Sequence, residues 1–263
     1  MIADFHNDIL TSDQKDKLNE LSLNTDLCVC AAFCGDRTFT EVRKIVEKFR
    51  CERAQNQILS LEDASYLGDE NIDEICAWNP VAVSLTWNGE NALAGGCLCD
   101  ACLKPLGKKM VKELALKGVS VDCAHLNEQS FRSVLDYTGR VVDTHTCLSG
   151  VYNHPRNLKD WQIGEIAERG GLIGITLVGR FTGTEKANAF SVFRHFDYGV
   201  QKFGDELFCF GTDFNGTSDL PDGLKDYCQM DEFIELFLKA GYSSASINKL
   251  FRENLMRFLA NKD

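Results

Sequence analysis

The chain opens with a short apolar segment, residues 2–8, that carries His6 and Asp8 two positions apart. In a β-strand, side chains two apart lie on the same side, so this imidazole and this carboxylate can bind one metal ion. The pair alone is a weak signal. Its weight depends on whether more ligand-type side chains stand at the ends of other predicted strands.

Four further side chains of this kind stand at the ends of apolar segments, namely Glu62, His125, His145 and Asp213. The three imidazoles with the carboxylates of Asp8 and Glu62 are too many ligands for one tetrahedral zinc that keeps an open position, but they suit two ions that share a bridging carboxylate. Glu62 is the natural bridge. Such a pair of divalent cations would activate a shared water and polarise a carbonyl oxygen, which predicts hydrolytic chemistry. The ligand set favours zinc, although it also suits manganese or iron.

Short apolar runs alternate with helical patterns along the chain. Predicted strands cover residues 2–6, 27–33, 57–62, 81–86, 119–124, 140–145, 171–176 and 207–212. Predicted helices cover residues 40–56, 105–117, 127–137, 158–168, 190–202, 231–239 and 245–260. We expect Thr38 or Thr40 to cap the first helix and Asn157 the fourth.

This alternation predicts a (β/α)8 TIM barrel of the metal-dependent amidohydrolase type, with its active site at the carboxyl ends of the strands. A doubly wound open sheet is the alternative fold. The sequence has no internal repeat, low-complexity tract or linker rich in proline, glycine or serine. We therefore expect a single domain over residues 1–263.

Composition limits the classes of partner. The 263 residues are 44% hydrophobic and 25% charged, which is typical of a globular protein. The formal net charge of -11 argues against binding to nucleic acid or to an anionic membrane. The sequence has neither an apolar run of membrane-spanning length nor an export signal, so we expect a cytoplasmic protein that acts on a small molecule.

Twelve cysteines are many for a chain of this kind. Two groups lie close together in sequence: Cys28, Cys30 and Cys34, and Cys97, Cys99 and Cys102. Neither has the paired spacing of a zinc ribbon, so each is either a soft-metal site or a set of reduced thiols packed as small hydrophobic side chains. Three others, Cys123, Cys147 and Cys209, lie in apolar strand segments and are expected in the core.

Eight short segments occur in an order and spacing that resembles one known family. They are residues 6–8, 60–64, 121–125, 143–146, 154–158, 170–174, 195–198 and 211–216. No one of them is decisive, but together they are specific. Over nearly its whole length the chain resembles the membrane dipeptidase (renal dipeptidase-like, peptidase family M19) metallopeptidases.

The resemblance implies a binuclear zinc dipeptidase on an amidohydrolase-type barrel. By this comparison His6 and Asp8 hold one metal ion, His125 and His145 hold the other, and Glu62 bridges them. The implied substrate is a small dipeptide, which is attacked by a water or hydroxide between the metals. Family members are commonly dimers, so a homodimer is expected.

The same resemblance assigns two residues to the reaction. Asp213 matches the aspartate that handles the proton passing from the attacking water to the leaving amine, with an Asx-type turn as the alternative. Arg156 matches the arginine that binds the terminal carboxylate of the substrate, with a surface or helix-cap arginine as the alternative. His154 and His195 match motif positions without a ligand role, so structural hydrogen bonding is expected for both.

Two positions depart from the family pattern, and both belong to the expected substrate pocket. Trp87 stands where the family has a histidine that binds substrate, and Val178 lies near a position that is often aromatic. Indole donates one hydrogen bond and carries no positive charge. Three functions stay open: a dipeptidase with altered or weak activity, a barrel metallohydrolase acting on another small amide, lactam or ester, and a non-enzymatic protein that binds metal or thiol ligands.

Overall fold

The computed structural model describes residues 1–183 and 185–261. Eight parallel strands form a closed barrel in chain order. They are β1 Ala3–Asn7, β2 Leu27–Phe33, β3 Gln57–Glu62, β4 Ala82–Ser84, β5 Ser120–Asp122, β6 Val141–Thr146, β7 Ile173–Ile175 and β8 Phe208–Phe210. Because β8 pairs with β1, the predicted (β/α)8 barrel is confirmed and the open-sheet alternative is wrong.

Ten α-helices lie in the described part of the chain. They are α1 Leu18–Asn24, α2 Phe39–Glu52, α3 Ile72–Ala77, α4 Pro105–Leu116, α5 Glu128–Leu135, α6 Asp160–Glu168, α7 Ala189–Phe203, α8 Met230–Lys239, α9 Ser244–Asn248 and α10 Asn254–Ala260. Thr38 caps α2 as predicted, in a reciprocal arrangement with Glu41. The predicted helix 245–260 is instead interrupted between α9 and α10 by a π-helical turn, Lys249–Glu253.

The expected cap of α6 was wrong. The helix begins at Asp160 and its N-cap is Lys159, two residues later than predicted. The side-chain amide of Asn157 instead donates to the carbonyl oxygens of Tyr152 and Phe181, both at 2.9 Å. Asn157 therefore ties together two loops on the side of the barrel where the strands end.

Side chains of β1 alternate between the helix layer and the barrel interior. Phe5 packs edge-on against Phe258 of α10, with ring centroids 5.6 Å apart. His6, the next residue, contacts Thr144 of β6 at 3.1 Å. Since β1 and β6 are not neighbouring strands, this contact must cross the barrel interior. His6 therefore points inward, as the period of a strand predicts.

The cysteines are all unpaired thiols. Cys123, Cys147 and Cys209 are buried in the core, as predicted. Within the described residues, the groups of side chains placed to share a metal ion contain histidine, aspartate and glutamate but no cysteine. Cys28, Cys30 and Cys34 are buried, as packed thiols would be, whereas Cys97 and Cys99 are half-buried and Cys102 is exposed. No helix in the described ranges is long and apolar enough to cross a membrane.

Candidate metal centre and active site

Six predicted side chains meet where the barrel strands end: His6, Asp8, Glu62, His125, His145 and Asp213. The carboxylate of Glu62 lies at their centre. Its Oε1 is 2.9 Å from Nε2 of His125 and 3.8 Å from Nε2 of His145. Its Oε2 is 3.4 Å from Nε2 of His6. One oxygen of Glu62 therefore faces each half of the cluster.

Neighbouring oxygens determine which ring nitrogen each histidine presents to Glu62. Nδ1 of His6 and Nδ1 of His145 lie 3.1 and 3.0 Å from the same hydroxyl, Oγ1 of Thr144. Nδ1 of His125 lies 2.9 Å from Oδ1 of Asn88, an acceptor. These contacts favour a proton on Nδ1 of each ring, and in that tautomer the Nε2 of a neutral ring is free to bind a cation.

These atoms fit a divalent cation. Nε2 of His125 and Nε2 of His145 are 2.8 Å apart, so in the Nδ1–H tautomer their two lone pairs repel unless a positive charge lies beside them. Oδ1 of Asp8 is buried and makes no hydrogen bond within the protein. Imidazole nitrogens together with carboxylate oxygens form the donor set that zinc prefers.

The surroundings of the cluster shift the pKa values of its histidines in opposite directions. Burial lowers the pKa of His125 to about 4 and also lowers the pKa of His145, so both rings are neutral, the form that ligates metals. For His6, burial is outweighed by Asp8 and Glu62, which raise its pKa well above the usual value. Burial would raise the pKa of Glu62, but His125 and His6 lower it well below its usual range.

Asp213 stands beside Asp8 in a strained backbone conformation. Burial and the negative charge of Asp8 raise the pKa of Asp213 well above its usual value. Its φ of 62° and the φ of 68° at His125 both lie in the left-handed region, which residues other than glycine rarely adopt. A Cβ at Gly216 would lie 2.2 Å from Oδ2 of Asp8 and 2.3 Å from Oδ1 of Asp213. Only glycine therefore leaves room for this pair of carboxylates.

A cavity of about 440 Å³ opens over the cluster and is lined by Arg156. The side chain of Arg156 is 6% exposed, and Nη2 donates to the carbonyl oxygen of His145 at 3.0 Å. Its Nε is buried without a hydrogen bond. No carboxylate of the described residues lies within ion-pair distance of this guanidinium. A buried arginine without a counter-ion is costly, so its position in the cavity points to an anionic ligand.

Apolar side chains also line the cavity, and Trp87 is one of them. Its indole is 49% exposed and packs edge-on against Phe33, with centroids 5.8 Å apart. The indole also lies 6.1 Å from the ring of His125. Val178 lines the same cavity, and Phe181, three residues later, supplies an aromatic ring. Both departures from the family pattern thus lie in one cavity, beside the metal cluster.

The remaining two histidines have the structural contacts expected of them. Nδ1 of His195 accepts a hydrogen bond from the backbone of Leu148 at 3.0 Å. Nδ1 of His154 accepts one from the backbone of Arg156 at 3.2 Å, and His154 also lines the cavity.

Sequence reasoning did not find the side chains that orient the ligands, Asn88 and Thr144. Their positions gave one signal. Each is a polar residue next to a motif residue, Trp87 in one case and His145 in the other.

The fold and the cluster define the class of protein: a (β/α)8 barrel with a candidate metal centre where its strands end. Dipeptidase AC, a metallo peptidase of family M19, has the same fold, with a TM-score of 0.83, 18% identity and coverage of 99% of this chain and 98% of that chain. An amidohydrolase from Pseudomonas aeruginosa matches with a TM-score of 0.85 and 16% identity over 100% and 96% of the two chains. A metallo peptidase from Rhodobacter sphaeroides, liganded with a phosphinate mimic of the dipeptide L-Ala-D-Ala, matches with a TM-score of 0.81 and 17% identity. The match covers 100% of this chain and 99% of that chain.

The model of the membrane dipeptidase family, peptidase family M19, matches residues 31–262. The chain therefore belongs to this family of metal-dependent hydrolases, as its motifs indicated. An uncharacterized protein in the pqqA 5' region of Klebsiella pneumoniae is 28% identical over 165 residues, and the match spans 60% of each of the two chains. Strand β1, with His6 and Asp8, lies before the part that the family model matches.

Proposed function

We propose that this protein is a binuclear zinc-dependent dipeptidase that hydrolyses the single peptide bond of small dipeptides. The observation that carries the proposal is the convergence of three Nε2 atoms, from His6, His125 and His145, on the carboxylate of Glu62. Membership of the M19 family supports divalent-metal dependence and small peptide substrates. The whole chain, residues 1–263, would form one catalytic domain.

The geometry around Glu62 supports its role as a bridge between two ions. Oε2 faces His6, which would hold one ion together with Asp8. Oε1 faces His125 and His145, which would hold the other. When bound, the two cations would activate water and polarise the scissile carbonyl. Glu62 itself would keep the negative charge that holds the two halves together, because its neighbours keep its pKa low.

Arg156 would bind the terminal carboxylate of the dipeptide. Arg156 lines the cavity, and its guanidinium has no carboxylate partner among the described residues. A planar guanidinium binds a carboxylate through two parallel hydrogen bonds, which fixes the orientation of the substrate as well as its position. The hydrogen bond to His145 ties Arg156 to the strand that supplies a metal ligand.

Asp213 would move the proton of the reaction. Burial and Asp8 raise its pKa, so its carboxylate holds a proton more readily than an ordinary aspartate does. It would accept the proton of the attacking water and pass it to the nitrogen of the leaving amine. Gly216 leaves the space in which this side chain stands beside Asp8.

Trp87 would make the pocket more apolar than that of relatives with histidine at this position. Its ring packs on Phe33 and lies beside His125, so it faces the region where the scissile bond is held. Since indole cannot carry a positive charge, it stabilises a developing oxyanion less well than a protonated histidine. We infer a retained metal centre with altered dipeptide specificity.

A chelation experiment tests the proposal. Activity on a panel of dipeptides, including some with a D-residue at the carboxyl end, should disappear with chelator and return with zinc. Metal-replete protein that cleaves no dipeptide would reject the proposal. Cleavage of other small amides, lactams or esters by the same preparation would favour the wider class of barrel metallohydrolases.

A further inference from the structure

One buried hydroxyl contacts both halves of the candidate metal centre. Oγ1 of Thr144 lies 3.1 Å from Nδ1 of His6 and 3.0 Å from Nδ1 of His145. It also donates to Oδ2 of Asp122 at 2.6 Å. Thr144 and His145 are consecutive residues, and both reach the centre. The pairing of β6 with β7 has an irregular register between Asp143 and Thr146, the segment that contains them.

We propose that Thr144 is a positioning residue that couples the two metal sites, so that loss of its hydroxyl weakens both together. The inference rests on the proposed function, because it takes His6 as a ligand of one ion and His145 as a ligand of the other.

The capacity of a hydroxyl explains why Thr144 can serve two rings. A threonine hydroxyl has one hydrogen to donate and two lone pairs that accept. Its hydrogen is directed to Asp122, so both lone pairs accept, one from each Nδ1–H. This fixes the tautomer in which the Nε2 of His6 and the Nε2 of His145 face Glu62.

Asp122 holds the hydroxyl in that orientation. Its Oδ1 accepts from the backbone N–H groups of Ala124 and Thr144, both at 3.0 Å. Asp122 is 3% exposed and Thr144 is fully buried. A buried carboxylate with these donors cannot turn away without leaving them unpaired, so the hydroxyl has one stable orientation.

Loss of the hydroxyl would leave the Nδ1–H groups of His6 and His145 without an acceptor. Either ring could then rotate or change tautomer, and its Nε2 would no longer be held toward Glu62. Removal of a hydrogen-bond partner of a metal ligand costs about 10–100-fold in metal affinity. Because Thr144 serves one histidine of each half, we expect both affinities to fall. Among the three histidine rings of the cluster, Asn88 contacts that of His125, so it serves one half.

The experiment compares zinc affinity in four variants by competition with a chromophoric chelator. Thr144→Val removes the hydroxyl, and Thr144→Ser keeps it. Asn88→Ala removes the acceptor of one half only. Thr212→Val is the control for the loss of a buried threonine–aspartate hydrogen bond, because Oγ1 of Thr212 donates to Oδ2 of Asp4 at 2.6 Å and contacts no histidine ring.

We expect Thr144→Val to lower the affinity for both zinc ions by about 10–100-fold and Asn88→Ala to lower the affinity for one of them. Thr144→Ser and Thr212→Val should bind both ions nearly as tightly as the unmodified protein. A Thr144→Val protein that loses affinity for one ion or for neither would overturn the inference, as would equal weakening in Thr212→Val. Unmodified protein that binds no zinc would reject the metal centre itself, which is a different failure.

A measurement on the unmodified zinc-loaded protein covers the case in which Thr144→Val does not fold. Nitrogen-15 NMR of the histidine rings reports which nitrogen carries the proton. We expect Nδ1–H in both His6 and His145, with both protons hydrogen-bonded. Protonation at Nε2 in either ring would contradict the inference.

Discussion

Replacing Arg156 by methionine should selectively weaken the hydrolysis of substrates that have a free terminal carboxylate. The guanidinium donates one hydrogen bond within the described structure, to His145, and its Nε has no partner. Since Nη2 has a second hydrogen and Nη1 has no hydrogen-bond partner among the described residues, two parallel donors remain for a substrate carboxylate. Methionine keeps an unbranched apolar side chain in the same space and removes both donors.

The magnitude follows from those two hydrogen bonds. Hydrogen bonds to charged groups contribute about 1.5–3 kcal/mol each, so the pair contributes about 3–6 kcal/mol. At about 1.4 kcal/mol per tenfold change, Arg156→Met should lower kcat/KM for a dipeptide by about 10²–10⁴-fold. Arg156→Lys keeps the positive charge without the planar pair of donors, so its loss should be smaller.

The assay compares each dipeptide with its carboxamide. In the amide the terminal carboxylate is replaced by a neutral group, so the unmodified enzyme should hydrolyse it poorly and Arg156→Met should reduce its turnover little further. Equal losses on the two substrates would refute the reasoning, because they would show that Arg156 supports the structure of the site and does not bind the carboxylate.

Three further outcomes are expected. Trp87→His should raise kcat for dipeptides, by up to about 10²–10³-fold if the histidine supplies a full oxyanion donor; an unchanged or lower rate would show a pocket rebuilt around the indole. Gly216→Ala should reduce zinc content, because its Cβ would lie 2.2 Å from Oδ2 of Asp8; two tightly bound zinc ions in a folded variant would contradict this. Zinc affinity should fall with falling pH through the raised pKa of His6, since protons compete with the cation for Nε2; an affinity independent of pH near neutrality would count against His6 as a ligand.

The sequence predicts the barrel and the meeting of the candidate ligands at one end of it, because both depend on short-range periodicity. A strand places alternate residues on one side, and parallel strands end at one edge, so His6, Asp8 and Glu62 could be expected in one place. Prediction was weaker where a segment lacks a local signal. Helices α1 and α3 have seven and six residues and no side-chain cap, and neither was predicted.

The residues that orient the candidate metal ligands depend on contacts between distant parts of the chain. Thr144 meets His6 across 138 positions, and Asn88 meets His125 across 37. No spacing rule indicates which oxygen will face which ring nitrogen, because that depends on the register of the whole barrel and on the irregularity in β6. The same limit explains the error at Asn157, whose side chain is used by two loops and does not cap α6.

The most direct test of the central claim is the zinc content per chain of the unmodified protein and of His125→Ala, measured with dipeptide hydrolysis in the same samples. We expect two zinc ions per unmodified chain, and at most one, with almost no hydrolysis, in the folded variant. Undiminished zinc content and turnover in His125→Ala would contradict the proposed metal centre.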